Sequence, residues 1–123
     1  MIQRLAIDPG YSNGWAVFND QEYFASGTVP DGPGFMVSIA AWTLLQSDRV
    51  IIERIPTRGL GQHSLRLERV LTTLDIAFPN AIWVLPGQWK PLTGHSVIGV
   101  PTRTIHERDA IRMVLYDLKV FPG

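Results

Sequence analysis

Leu5-Ala-Ile-Asp-Pro-Gly-Tyr-Ser-Asn-Gly-Trp-Ala-Val-Phe18 is the stretch on which the fold turns. An apolar strand over residues 3–8 ends on a carboxylate, Asp8, and Pro9-Gly10 breaks it. After a Ser-Asn-Gly turn a second strand runs over residues 14–18, and residues 21–29 alternate well enough for a third. The chain therefore opens as an antiparallel meander.

Downstream the pattern changes. Pro30, Gly32, Pro33 and Gly34 punctuate a loop, and Met36, Ile39, Ala40, Thr43 and Leu44 then recur at helical spacing over residues 35–46. Residues 49–53 (RVIIE) form a short, nearly all-apolar strand of the kind buried inside a parallel sheet. A loop over 57–62 leads to an amphipathic helix over 63–77, with Leu67, Val70, Leu71, Leu74 and Ala77 on one face. Residues 81–85 (AIWVL) make another buried strand, stopped by Pro86-Gly87. A loop carrying Pro91, Gly94, Gly99 and Pro101 follows. The last helix, 105–119, opens on Thr104-x-x-Glu107, the spacing of a capping box, with Ile111, Val114, Leu115 and Leu118 as its core face. The order βββαβαβα, with crossovers in its second half, predicts an α/β fold. Its five-stranded mixed sheet joins a three-strand antiparallel meander to two parallel strands, with helices on its faces.

Composition narrows the class. The chain has 123 residues, 46% hydrophobic and 18% charged, which suits a single domain spanning 1–123 with its own core. With no cysteine there is no disulfide framework, zinc-thiolate site, iron–sulfur cluster or thiol nucleophile. The longest uncharged run, Gly32 to Ser47, has 16 residues and opens Gly-Pro-Gly, too short and broken to span a bilayer. Asp8 interrupts the N-terminal apolar stretch, so no signal peptide is read there, and a cytoplasmic location is expected. The formal net charge is zero, 11 basic against 11 acidic, yet residues 1–48 sum to −4 and residues 49–123 to +4. A basic face for nucleic acid is compatible with that asymmetry.

Three carboxylates fall at suggestive places: Asp8 ends the first strand, Glu53 ends the fourth, and Asp109 lies in the first turns of the last helix. If strands one and four are parallel neighbours, Asp8 and Glu53 emerge at one edge, the edge where open α/β sheets bind ligands. A helix crossing that edge would bring Asp109 toward both. Taken singly, Asp8 reads as a turn residue, Glu53 as a solvated strand exit and Asp109 as a solvent-facing acid. Taken together they read as a site, because three converging acids repel unless a cation sits among them. Oxygen ligands without thiolate favour Mg²⁺ or Mn²⁺, one or two ions, able to activate a water for phosphodiester cleavage.

The same residues carry a resemblance. Leu5 to Phe18 resembles the opening of RuvC-type Holliday junction resolvases, Val50-Ile-Ile-Glu53 resembles that family's second acidic strand, and His106-Glu-Arg-Asp109-Ala110 resembles its last helix. The resemblance, to short phage-type members in particular, covers most of the chain in order. It implies an RNase H-like fold and a divalent-metal site on Asp8, Glu53 and Asp109. It also implies cleavage of branched DNA such as four-way junctions by a homodimer. His106 becomes a fourth ligand or a proton-transfer group; at i, i+3 it shares a helix face with Asp109. Lys90, in a Trp-Lys pair after the fifth strand, becomes a phosphate contact or charge stabiliser, with Trp89 anchoring its loop in the core. Glu107 is assigned to the capping box. Arg54, Arg58, His63, Arg66 and Arg69 follow Glu53 as a basic stretch for the DNA backbone. Where the family often carries an aromatic wedge, this chain has Arg54-Ile-Pro-Thr57.

Two other readings use the same residues. A YqgF-like nuclease shares the Asp-x-Gly opening and acts on RNA, and Glu53 on strand four argues for the RuvC-like branch instead. A catalytically inactive nucleic-acid-binding module would be expected to have lost one of the acids, and none is missing. Sugar kinases and actin-like ATPases also open this way, but they close two such domains on a nucleotide.

Overall fold

A computed structural model of the chain describes residues 1–10, 12–54, 62–93, 102 and 104–122. Nine elements follow one another: β1 (Gln3–Asp8), β2 (Ser12–Asn19), β3 (Glu22–Pro30), α1 (Pro33–Leu45), β4 (Arg49–Glu53), α2 (Gln62–Ala77), β5 (Ile82–Val84), α3 (Pro86–Thr93) and α4 (Ile105–Val120). The strands form one mixed sheet in the order β3-β2-β1-β4-β5. β1, β2 and β3 pair antiparallel, while β1 with β4 and β4 with β5 pair parallel. This is the architecture expected from the strand order. Among the described residues no helix is long and apolar enough to cross a membrane.

Strand alternation divides the core in two. Leu5, Ile7, Val17 and Ile52 point to one face, where α1 contributes Phe35, Ile39 and Trp42 and α2 contributes Val70 and Leu74. Ala6, Ala16, Phe18, Ile51 and Val84 point to the other, under Trp89 of α3 and Ala110, Ile111, Met113 and Val114 of α4. The small side chains of Ala6 and Ala16 let α4 lie close on the sheet centre.

Ser12 and Asn13, expected in a turn, belong to β2, Pro91, expected in a loop, lies within α3, and three further details differ for physical reasons. Helix α1 buries Phe35, Ile39 and Trp42, and leaves Met36, Ala40, Thr43 and Leu44 exposed. The helix is apolar on nearly every side, so spacing names no unique inner face; the aromatics decide it, Trp42 packing on Trp15 and Phe35 with ring centroids 6.3 Å apart in each pair. Pro86-Gly87 does not open a plain loop but starts α3, since proline suits a helix's first turn, where its missing N–H costs nothing. Helix α4 is rotated from its expected face: Ile111 and Val114 are buried as expected, Leu115 and Leu118 only partly, and Asp109, Arg112 and Asp117 are buried instead.

Asp117 explains part of that rotation. Its carboxylate accepts from Arg4 Nε at 2.7 Å and from Arg49 Nε and Nη2 at 2.7 and 2.8 Å. Arg4, only 1% exposed in the middle of the sheet, also donates to the Phe121 carbonyl. Burial pushes the Asp117 carboxyl up, but the hydrogen bonds and charges of Arg49 and Arg4 outweigh it and hold it below the ordinary aspartate range. Removing the anion strands a buried guanidinium, so Asp117→Asn is expected to destabilise the fold by about 3–5 kcal/mol in urea unfolding at neutral pH. A group whose folded pKa is depressed contributes stability above its unfolded pKa, about 3.9, and loses it as pH falls through the folded value. The variant should therefore lack that part of the parent's acid limb. A neutral-pH loss below about 1 kcal/mol would show the triad to be energetically idle.

Candidate active site

The site begins with strand parity. Arg4, Ala6 and Asp8 alternate onto the α4 face of β1, and Ile51 and Glu53 onto the same face of β4. The β1–β4 ladder runs to Ile7 opposite Ile52, so the next residues on the two strands are Asp8 and Glu53. Parallel pairing thus places both carboxylates side by side at the carboxyl edge, 3% and 5% exposed. That is a costly arrangement. Burial, then the charge of Asp8 and a hydrogen bond shared with it, push Glu53 up to about 7; the Trp89 indole and the charge of Lys90 pull the other way.

Helix α4 delivers two more groups. Thr104 caps it, its hydroxyl accepting from the Glu107 N–H at 3.1 Å, as the capping spacing predicts. The Glu107 carboxylate, buried, accepts from Ser26 Oγ at 2.6 Å, and the Thr104 and Thr28 hydroxyls lie 2.6 Å apart, so β3 holds the start of the helix. Gly14, paired with Asp8 across β1 and β2, makes room for that start: a Cβ there would stand 2.0 Å from the His106 carbonyl oxygen. Glycine inside a strand is a sign of close backbone approach. In consequence His106 Nδ1 meets Asp8 Oδ2 at 3.1 Å. The hydrogen bond to Asp8 is the largest influence on this imidazole and raises its pKa, with the charges of Asp8, Asp109 and Glu53 adding to it against the effect of burial.

Asp109 is 7% exposed rather than solvent-facing. Burial, then the charge of Asp8, pushes it up, and Lys90, Arg112 and Arg108 oppose them. Arg112 Nη1 donates to its Oδ1 at 3.2 Å. The four residues singled out in the sequence therefore share one electrostatic neighbourhood, with Asp8 at its centre. Among the described residues no three acidic or imidazole side chains stand in the spacing of a ready-made cation cage, and Asp109 is held toward Arg112. The donor set itself, carboxylate oxygens and one imidazole crowded together at a cost, suits a hard divalent cation.

The basic residues divide. Lys90, on α3, acts electrostatically on both Glu53 and Asp109, and its Nζ stands 5.3 Å from the Trp89 ring centroid. Arg54, exposed just beyond Glu53, lays its guanidinium 4.5 Å from the Trp83 ring centroid. Arg66 and Arg69 stand on α2, on the opposite face of the sheet, lining a cleft with Phe35 and Met36 of α1; Arg66 pairs with Asp31 at 2.9 Å. Arg58 lies outside the described residues. Trp89 is the anchor expected, fully buried, but its indole N–H also donates to Glu53 Oε2 at 2.8 Å. That bond, and Arg112 three residues beyond Asp109, escaped the sequence reading. The i, i+3 spacing of Asp109 and Arg112 was the available signal.

A central β1 with an antiparallel meander on one side and parallel strands on the other, acidic at its carboxyl end, defines an RNase H-like fold. The structure of Thermus thermophilus RuvC in complex with Holliday junction substrate matches it at a TM-score of 0.74 and 16% identity, over 98% of this chain and 97% of that one. A second Thermus thermophilus RuvC structure matches at 0.71 and 16% identity, over 97% and 96%. The likeness is one of fold. No protein-family model matches the sequence, and no curated protein does.

Proposed function

We propose that this chain is a Mg²⁺- or Mn²⁺-dependent endonuclease that hydrolyses phosphodiesters in branched DNA, four-way junctions first among them, in DNA recombination and repair in the cytoplasm. The observation that carries the reading is the buried Asp8–Glu53 pair at the carboxyl edge of the sheet, with His106 bound to Asp8 and Lys90 beside Glu53. A fold does not hold two desolvated carboxylates together for stability's sake. Asp8, Glu53 and Asp109 would hold one or two ions, with His106 either a fourth ligand or the proton-transfer group, and the ions would supply water activation and charge stabilisation at the phosphate. The protein's own residues do the rest. Asp8 fixes the imidazole through Nδ1, leaving Nε2 for one of the two roles, a metal ion or a proton exchanged near the scissile bond. Lys90 meets the phosphate's negative charge. Arg54 contacts the DNA backbone beside the site, Arg58 is assigned to the same basic stretch by sequence alone, and Arg66 and Arg69, on the opposite face of the sheet, would meet only DNA that wraps past the α1–α2 side.

A junction with two-fold symmetry calls for two such sites, and we propose a homodimer. The outward apolar face of α1, where Met36, Val37 and Leu44 are exposed, is one surface that could serve it.

The test is incubation of the protein with labelled four-way junction, flap, linear duplex and RNA–DNA hybrid in Mg²⁺ or Mn²⁺. Paired symmetric nicks in the junction are expected. Flap cutting as well would mark a broader branch nuclease, in keeping with Arg54-Ile-Pro-Thr57 in place of an aromatic wedge. Cleavage confined to the hybrid would transfer the activity to RNA, and cleavage of nothing would leave a binding module.

A further inference from the structure

We infer that Trp89 and Arg112 are positioning residues, two halves of a clamp that fixes Glu53 and Asp109 relative to each other; the inference rests on the metal-site reading above and specifies what supports it. Trp89 has no exposed surface, and a buried indole N–H must find a partner. Its partner is Glu53 Oε2, at 2.8 Å. Arg112, 5% exposed, reaches two acceptors among the described residues: Nη1 donates to Asp109 Oδ1 at 3.2 Å, and Nη2 to the Lys90 carbonyl at 3.1 Å. Its Cζ lies 5.1 Å from the Trp89 ring centroid.

These contacts close a circuit. Glu53 ends a strand and Asp109 sits on a helix, with no covalent reason to keep a fixed separation. Helix α3 supplies one: its Trp89 side chain holds the first carboxylate, and its backbone at Lys90 holds the arginine that holds the second. Gln88 Oε1 accepts from the Leu85 N–H at 2.7 Å and ties down the start of α3. Trp89 takes hold of Glu53 at Oε2 and Arg112 of Asp109 at Oδ1, so the clamp sets the orientation in which each carboxylate would meet a cation. Groups that orient ligands in this way typically govern metal affinity or activity by about 10- to 100-fold.

A merely structural role, Trp89 filling the core and Arg112 neutralising Asp109, predicts something different from a clamp. Trp89→Phe keeps the apolar bulk and removes only the N–H. Arg112→Lys keeps the charge and removes the planar fork that spans two acceptors. Mg²⁺ binding by calorimetry is expected to weaken about 10- to 100-fold in each, with unchanged circular dichroism. A spectroscopic arm runs beside it. The chain has four tryptophans, and Trp89→Phe identifies which indole ¹H–¹⁵N resonance is lost. In the parent that resonance should shift with Glu53→Gln, and should move on Mg²⁺ titration with the midpoint seen by calorimetry. Should Arg112→Lys fail to fold, Trp89→Phe and the indole resonance still decide. A parent that binds no Mg²⁺ overturns the functional reading. A parent that binds it, with both variants within about twofold and the indole resonance indifferent to Glu53→Gln, overturns the clamp alone.

Discussion

Asp8→Asn is expected to abolish cleavage while making the metal-free protein more stable. Asp8 acts on each of the other three: Glu53 shares a hydrogen bond with it, His106 is bound to it at 3.1 Å, and its charge raises Asp109. A divalent ion at a phosphoryl centre stabilises the transition state by several kcal/mol. At about 1.4 kcal/mol per tenfold, loss of its central ligand should lower the rate by at least about 10³-fold. Stability moves the other way. Glu53 has a folded pKa of about 7 against an ordinary 4.5. A carboxyl raised on folding binds its proton better in the folded state, so the metal-free parent loses stability as pH rises from 4.5 toward 7 and keeps that penalty above it. Two of the three raising causes come from Asp8 and vanish with it; burial remains. Thermal melts across that range in chelator should show a shallower decline for the variant and a higher melting temperature at pH 8. Unimpaired cleavage would remove Asp8 from the chemistry. A variant less stable than the parent at pH 8 would contradict the crowding of the two carboxylates.

That opposition between activity and stability also explains why the site was legible in the sequence. A carboxylate at the end of one apolar strand reads as an ordinary turn or solvated exit, but two apolar strands here end on carboxylates in the same way. Parity then does the work of a structure: Ala6 to Asp8 and Ile51 to Glu53 are each two residues apart, so both acids follow small or apolar residues onto the α4 face. His106 and Asp109 were legible because a helix repeats nearly every third residue. What escaped depends on contacts between elements rather than on period. The inner face of α1 is set by Phe35 and Trp42 meeting Trp15, which no periodicity within an almost wholly apolar helix could reveal. The Arg4–Asp117–Arg49 triad joins β1, β4 and α4 across 113 residues of sequence. Arg4 in an apolar strand was its one visible sign. Helix α3 was hidden because Pro86, which closes β5, also opens the helix.

Gly14→Ala is the second change expected to have a large effect, and it tests how the helix is brought to the strand. Gly14 stands opposite Asp8 in the β1–β2 ladder, in the middle of a strand where glycine otherwise weakens the fold. A methyl group there would lie 2.0 Å from the His106 carbonyl oxygen, 2.1 Å from its carbon and 2.6 Å from the Glu107 nitrogen, where real contacts begin near 3.0 Å. All three atoms are backbone, so no side chain can swing aside. The start of α4 must retreat by 3.0 − 2.0, or at least 1.0 Å. Overpacking of this kind typically costs about 1–3 kcal/mol. A 1 Å misplacement of reacting groups can cost about 10²-fold in rate. The retreat also pulls His106 from Asp8, the hydrogen bond that most raises its pKa. Titration of the His106 ring resonances should therefore show a pKa falling back toward 6.5 in the variant. Gly27→Ala is the matched control: its added carbon would lie 2.9 Å from Trp15 Nε1, a side-chain ring on the opposite face. It should cost some stability and leave the His106 titration alone. If Gly14→Ala left that titration and the cleavage rate at parental values, α4 would not owe its place over Asp8 to the missing side chain. His106 would then need some other reason to meet Asp8.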